Sequence, residues 1–154
     1  MKKLFFFALL LFYTLVSVAQ KPVATLDHNS TTQVFYGQGS FVDAYNASTN
    51  GDHIYLSTGF FTQPPSIAKG IKIIGAGYFP DSLNVAKRTL ILGGFTINKG
   101  ADSLRLEGLY INGDVHYDGN STINYMSVIR CQLANIYFNS NSIATGKNNC
   151  SFEE

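Results

Sequence analysis

"SIAKGIKIIGAG", Ser66 to Gly77, is echoed about thirty residues on by "TINKGADSLRLEG", Thr96 to Gly108. Superposed, Ile67-Ala68-Lys69-Gly70 falls on Ile97-Asn98-Lys99-Gly100, and Ile71, Ile73 and Gly75 fall on Leu104, Leu106 and Gly108. A shift of about 20 residues lays "ILGGFTIN" (Ile91 to Asn98) on "INGDVHYD" (Ile111 to Asp118). A shift of about 22 lays Leu104, Leu106, Leu109 and Ile111 on Met126, Val128, Cys131 and Leu133. With one residue dropped, Val115 and Tyr117 land on Ile136 and Phe138. An apolar pattern that returns at a near-constant interval marks a repeat architecture.

Inside each period the apolar residues alternate, as in Leu104/Leu106, Val115/Tyr117 and Ile136/Phe138, which is the period of a strand. Short polar or glycine-bearing breaks, Asn112-Gly113 and Asn139-Ser140-Asn141, separate the strands. Two or three short strands per period, each bent from the next, describe one turn of a parallel coil whose neighbours stack about 4.8 Å away. The longer first interval accommodates an inserted loop, "GYFPDSLNVAKR" (Gly77 to Arg88), with a turn at Pro80-Asp81.

Upstream, "GSFVDAYNASTNGDHIYLSTGFF" predicts a short helix and then a strand. Ser40 and Asp43 stand at capping-box spacing, with Phe41, Ala44 and Tyr45 on one face. Asn50-Gly51-Asp52 is expected to end the helix, and "HIYL" to begin the strand. Such a helix suits the exposed end of a stack of coils, which otherwise shows apolar surface and open hydrogen-bonding groups.

The order of helix, "NGDHIYL", "IAKGIKIIGAGY", then "LRLEGLYINGDVHY" and "VIRCQLANIYF", resembles the N-terminal part of right-handed parallel β-helix proteins of the pectin-lyase-like superfamily. It is most similar to their secreted, surface-associated bacterial members. The resemblance runs from about Gly37 onward and implies an all-β fold. That fold is a right-handed parallel β-helix, a solenoid of about four coils with a short N-terminal capping helix. Residues 1–19 are expected to be a signal peptide, 20–36 a lead-in segment, and 37–154 the β-helix, truncated at "NNCSFEE" where another strand is starting. An uncapped final coil of this kind would associate end to end with another copy.

The leader expectation rests on Lys2 and Lys3, the apolar run Leu4 to Val16, and small residues at Ser17 and Ala19, with the cut after Ala19. The run is shorter than the roughly 20 residues that a bilayer span needs. A secreted or cell-surface location follows as an expectation. With 14% charged residues, a net charge of +1 and no basic run, the chain carries no footprint for nucleic acid or an anionic membrane. Cys131 and Cys150 fall on equivalent inward positions of successive periods, either as buried free thiols or as a disulfide.

Candidate chemistry is sparse. "GAG" at Gly75 to Gly77 lacks the third glycine and the downstream acid of a dinucleotide turn. "DVHYD" puts Asp114, His116 and Asp118 on the solvent side of one strand, with Tyr137 and Asn139 in the columns of the next. The two carboxylates would lie roughly 13 Å apart along the strand. A glycosidase pair needs about 5–9.5 Å, and a zinc ion needs all its ligands at about 2 Å. The plain reading is a solvated sheet face. The functional one is a saccharide contact at Asp114, His116, Asp118, Tyr137 and Asn139, with no catalytic residue, metal or cofactor. Arg105 and Glu107 read as a surface pair, and His28, His53 and His116 lie in unrelated contexts. The chain thus reads as a secreted β-helix surface module, adhesin-like or carbohydrate-binding. The alternative is the front end of a polysaccharide lyase or glycoside hydrolase whose active coils lie beyond residue 154.

Overall fold

The protein is described by a computed structural model covering residues 21–78, 88–118, 122–139, 147–148 and 151–153. The chain opens with β1 (Val23–His28) and β2 (Thr31–Tyr36), an antiparallel pair in regular register from Val23↔Tyr36 to His28↔Thr31. Asn29 and Ser30 between them both adopt positive φ, 47° and 64°. That is the conformation of a two-residue hairpin turn whose twist matches its strands. Helix α1 (Ser40–Ala47) follows, and then β3 (His53–Leu56), which pairs antiparallel with β1.

From β3 onward the pairing is parallel. β3, β6 (Lys72–Gly75), β9 (Arg105–Glu107), β12 (Ser127–Ile129) and β15 (Ser151–Glu153) continue the first sheet, in the order β15-β12-β9-β6-β3-β1-β2. A second array joins β4 (Gly59–Thr62), β7 (Thr89–Leu92), β10 (Tyr110–Asp118), β8 (Phe95–Ile97) and β5 (Ser66–Ile67), with β13 (Gln132–Asn139) beside β10. A last pair, β11 (Ile123–Asn124) with β14 (Lys147–Asn148), is two residues long.

The registers are those of the repeat superposition. Ile73 lies beside Leu106 and Leu106 beside Val128. Ile67 lies beside Ile97, Ile91 beside Ile111, and Val115 beside Ile136. The Lys-Gly dipeptides of the two opening stretches also meet. A Cβ on Gly70 would sit 1.9 Å from the Asp102 carbonyl oxygen, and one on Gly100 would sit 2.6 Å from that of Ala68. No side chain fits between backbones at such a distance, so the glycines are repeated because the segments pack against each other. Asn112-Gly113, expected as a break, lies inside β10 as an irregularity between Ile111 and Asp114. The bend there lets one strand pair with β7 before it and β8 after it.

The architecture built on those registers needs correction. The fold is mixed α/β, with one core helix packed against a curled, largely parallel sheet that forms a half-barrel. It is not an all-β, right-handed parallel β-helix of about four coils, and the resemblance to the pectin-lyase-like superfamily falls with that expectation. Three findings overturn it. A triangular solenoid needs a third parallel sheet, and among the described residues only the two-residue β11–β14 pair stands outside the two large arrays. Residues assigned to a lead-in form β1 and β2, so one end of the sheet is an antiparallel hairpin whose Ala24 and Leu26 are core.

The third finding is the helix itself. Phe41 is 1% exposed, and Phe41, Ala44 and Tyr45 belong to one buried cluster with Leu26, Ile54, Phe61 and Ile67. It is a layer of the core rather than a lid. Nor does the expected capping box form. Gly39 is the N-cap, no side chain caps the helix, and Ser40 is buried inside the first turn. The other end is held by Lys69, whose ammonium donates to the carbonyls of Tyr45 (2.6 Å) and Ser48 (2.8 Å) and sits 4.5 Å from the Tyr45 ring centroid. A cation on the last carbonyls complements the helix dipole. The Ala68 amide donates to the Tyr45 hydroxyl at 2.8 Å, so the opening stretch of sequence docks the helix. The inserted loop lies largely outside the described residues, as do Cys150 and the Asn139-Ser140-Asn141 break beyond its first residue.

Candidate functional site

The parallel pairing of β10 with β13 brings the expected site residues onto two neighbouring strands. Asp114 lies beside Asn135, His116 beside Tyr137, and Asp118 beside Asn139. Val115 and Tyr117 point into the core, which turns Asp114, His116 and Asp118 to the other side. The His116 and Tyr137 rings stack, with centroids 5.0 Å apart and planes 13° from parallel, and Tyr137 is 47% exposed. Asn135 Nδ2 donates to Asp114 Oδ1 at 2.9 Å. Thr96 adjoins His116 on the other flank, and the Arg88 guanidinium covers the Tyr110 ring at 4.5 Å.

Each carboxylate-bearing position therefore stands opposite an asparagine. The two aspartates remain four residues apart on one strand, roughly 13 Å, too far for paired acid–base work. The face offers hydrogen-bonding edges and a stacked ring pair instead.

A second cluster was not anticipated. His28, at the end of β1, meets Asp52, just before β3, with Nδ1 at 2.8 and 2.9 Å from the two carboxylate oxygens. Asp52 is 6% exposed and also accepts from the Thr49 amide at 2.6 Å and the Thr49 hydroxyl at 3.2 Å. Asn29 Nδ2 lies 3.0 Å from His28 Nε2. These partners match an imidazole protonated on Nδ1, with Nε2 accepting from the amide. Burial pushes the Asp52 pKa up, but the Thr49 amide and the His28 ring together hold it below the usual carboxylate value. Burial also pushes Lys69 below its ordinary value, against the nearby Asp52 charge.

An open recess of about 370 Å³ lies over this corner, lined by polar groups that include Asp27, Asn29, Thr49 and His53. A histidine oriented by a buried acid is half of a nucleophilic device. Among the described residues, however, no serine or cysteine is hydrogen-bonded to the His28 ring. The pair is a clip that ties the hairpin to the turn after the helix. Sequence reasoning missed it because its members lie on different elements, and their contact depends on the β1–β3 pairing that the lead-in assignment hid.

Arg105 and Glu107 form the expected surface pair, at 2.9 Å through Nε and 2.5 Å through a terminal nitrogen, and Arg130 joins them on the next strand. The Arg105 guanidinium is the main cause that holds Glu107 below its usual value. Cys131 is a free, half-buried thiol that donates to the Ile129 carbonyl, and burial pushes its pKa up. Among the described residues no group of three or more His, Cys, Asp or Glu is placed to hold a metal ion. No described helix is long and apolar enough to cross a membrane.

Compared with known proteins, the chain matches no family model, no curated protein and no solved structure. The functions expected of a β-helix, a surface module or the front of a lyase or hydrolase, are corrected with the fold, because the topology is that of an α/β globular domain.

Proposed function

We propose that the solvent face of β10 and β13 is a ligand-contact surface and that its ligand is a saccharide. The observation that carries this is the ordered, solvent-facing stack of His116 on Tyr137, flanked along the same strands by Asp114 and Asp118 and in the adjoining columns by Asn135 and Asn139. A sugar presents hydroxyls in a plane and an apolar C–H face. Amide and carboxylate edges suit the first, and an open aromatic face suits the second. One face of Tyr137 is taken by His116, so the contact uses its outer face together with the polar edges on both sides. The contact is one of binding: it needs no metal, cofactor or proton transfer. Export by the Met1–Ala19 leader belongs to the same proposal, since it would place this face among extracellular glycans. N-terminal sequencing of the protein from its native cells should then begin at Gln20.

The deciding experiment is retention on a glycan array with and without Tyr137→Ala. A retained glycan should be held about tenfold more weakly by the variant, a loss of roughly 1.4 kcal/mol, with an unchanged circular dichroism spectrum. If the unsubstituted protein retains no glycan, the face is solvated sheet and the proposal fails.

A further inference from the structure

The other notable surface is the strand that closes the first sheet. β2 has β1 on one side and, among the described residues, no strand on the other. Its hydrogen-bonding phase can be read from one bond. The Gly37 amide donates to the Pro22 carbonyl at 2.8 Å, one step beyond the Val23↔Tyr36 pair. Bonded and non-bonded pairs alternate in an antiparallel ladder. Thr31, Gln33 and Phe35 therefore turn their backbone groups to β1, and Thr32, Val34 and Tyr36 turn theirs to the open edge.

Among the described residues, no charge, proline or bulge on β2 blunts this edge. From Asn29 to Gln38 the chain carries no charged residue and no proline, and the six β1–β2 pairs run without a bulge. Lysine, proline and bulges are the usual means by which an edge strand is kept from pairing. Val34 and Tyr36 are 46% and 70% exposed and lie on one side of the strand with Thr32.

We infer that β2 is a self-association surface, and that its partner is β2 of a second copy of this chain, paired antiparallel about a two-fold axis at Val34. Only one two-fold register uses all three outward residues. It sets Val34 against Val34 of the second copy and Thr32 against Tyr36, with reciprocal amide–carbonyl bonds at each pair. Gln33 and Phe35 then face each other on the opposite side of the sheet. A charged peptide would find no complementary charge here, whereas a second β2 brings equal length, an equally uncharged strand and no repulsion. The two sheets become one across the axis, and each copy loses its open edge.

Sedimentation velocity on the purified protein across a concentration series tests this. A monomer–dimer equilibrium is expected, weakened at least roughly tenfold by Val34→Lys, which sets like charges directly opposite one another at the axis. Thr32→Lys, opposite Tyr36, should weaken it less. In the folded protein Val34→Cys should cross-link to a dimer on oxidation, with the unsubstituted chain as control for its own cysteines. Thr32→Cys should not, because its symmetry mate lies several residues away across the axis. A monomer at every soluble concentration overturns the inference. So does association that ignores position 34, which would place the contact at the N-terminal apolar segment or the C-terminal strands.

Discussion

The corner at His28 and the strand face at His116 use the same kinds of residue to opposite ends. At the corner a histidine, an aspartate, a threonine and an asparagine saturate one another, and the acid is almost wholly buried. On the strand face His116 and Tyr137 are exposed and Asp114 and Asp118 half-buried, at positions spaced by the ladder, with the ring stack and the Asn135–Asp114 bond among their contacts. Polar groups that satisfy each other hold a fold together, and those left facing solvent are free to meet a ligand. Composition does not separate the two; burial and hydrogen-bond partners do.

That contrast can be broken by substitution, and the largest effect should come from the buried layer between the helix and the sheet. Phe41→Ala empties a fully buried site between α1 and the sheet and should cost about 3–5 kcal/mol in denaturant unfolding. A loss below about 1 kcal/mol would return the helix to the role of a lid. Asp52→Ala should cost about 1.5–3 kcal/mol, the range for hydrogen bonds to a charged group, because the Thr49 amide and the His28 ring lose their shared acceptor. A neutral result would mean that the corner is as loosely tied as the strand face.

Acid sharpens the same point. The folded Asp52 carboxyl lies below its unfolded value, so its contribution is complete above about pH 4 and is lost as pH falls through the lowered folded value. Thermal melts should therefore fall more steeply in that window for the native chain than for Asp52→Asn. Glu107, lowered by Arg105 and Arg130, supplies a background decline common to both chains. The smallest effect belongs to the strand face. Tyr137→Ala and His116→Ala should each change stability by less than about 0.5 kcal/mol, as for surface positions outside any network. A larger loss would show that the stack is structural, like the corner.

The strand registers were legible from the sequence. A parallel pair brings equivalent positions of the repeat side by side, so the superposition of Leu106 on Val128 and of Val115 on Ile136 states which backbones meet. The side chains that face inward from β10 followed from alternation, and so did the columns that hold Asp114, His116 and Tyr137. The hairpin was less visible. Asn29-Ser30 carries a turn signal between two strand-like runs, but its β-pairing partner, Ile54 beside Leu26, lies beyond the helix and has no repeat to announce it.

Register is a local matter, set by the alternation of apolar side chains and the reach of one strand to the next, and the sequence by itself determined it. How the sheet curls is not local. A parallel array with a given register can close into a three-sided coil or curl around a helix, because neither the alternation nor the spacing records the angle between successive strands. That choice depends on what fills the space enclosed. Here Phe41, Ala44 and Tyr45 fill it, and Lys69 and the Ala68 amide fasten the helix in place. The His28–Asp52 clip has the same origin. Its two members become neighbours only when β1 lies down beside β3, and only the tertiary structure brings that about.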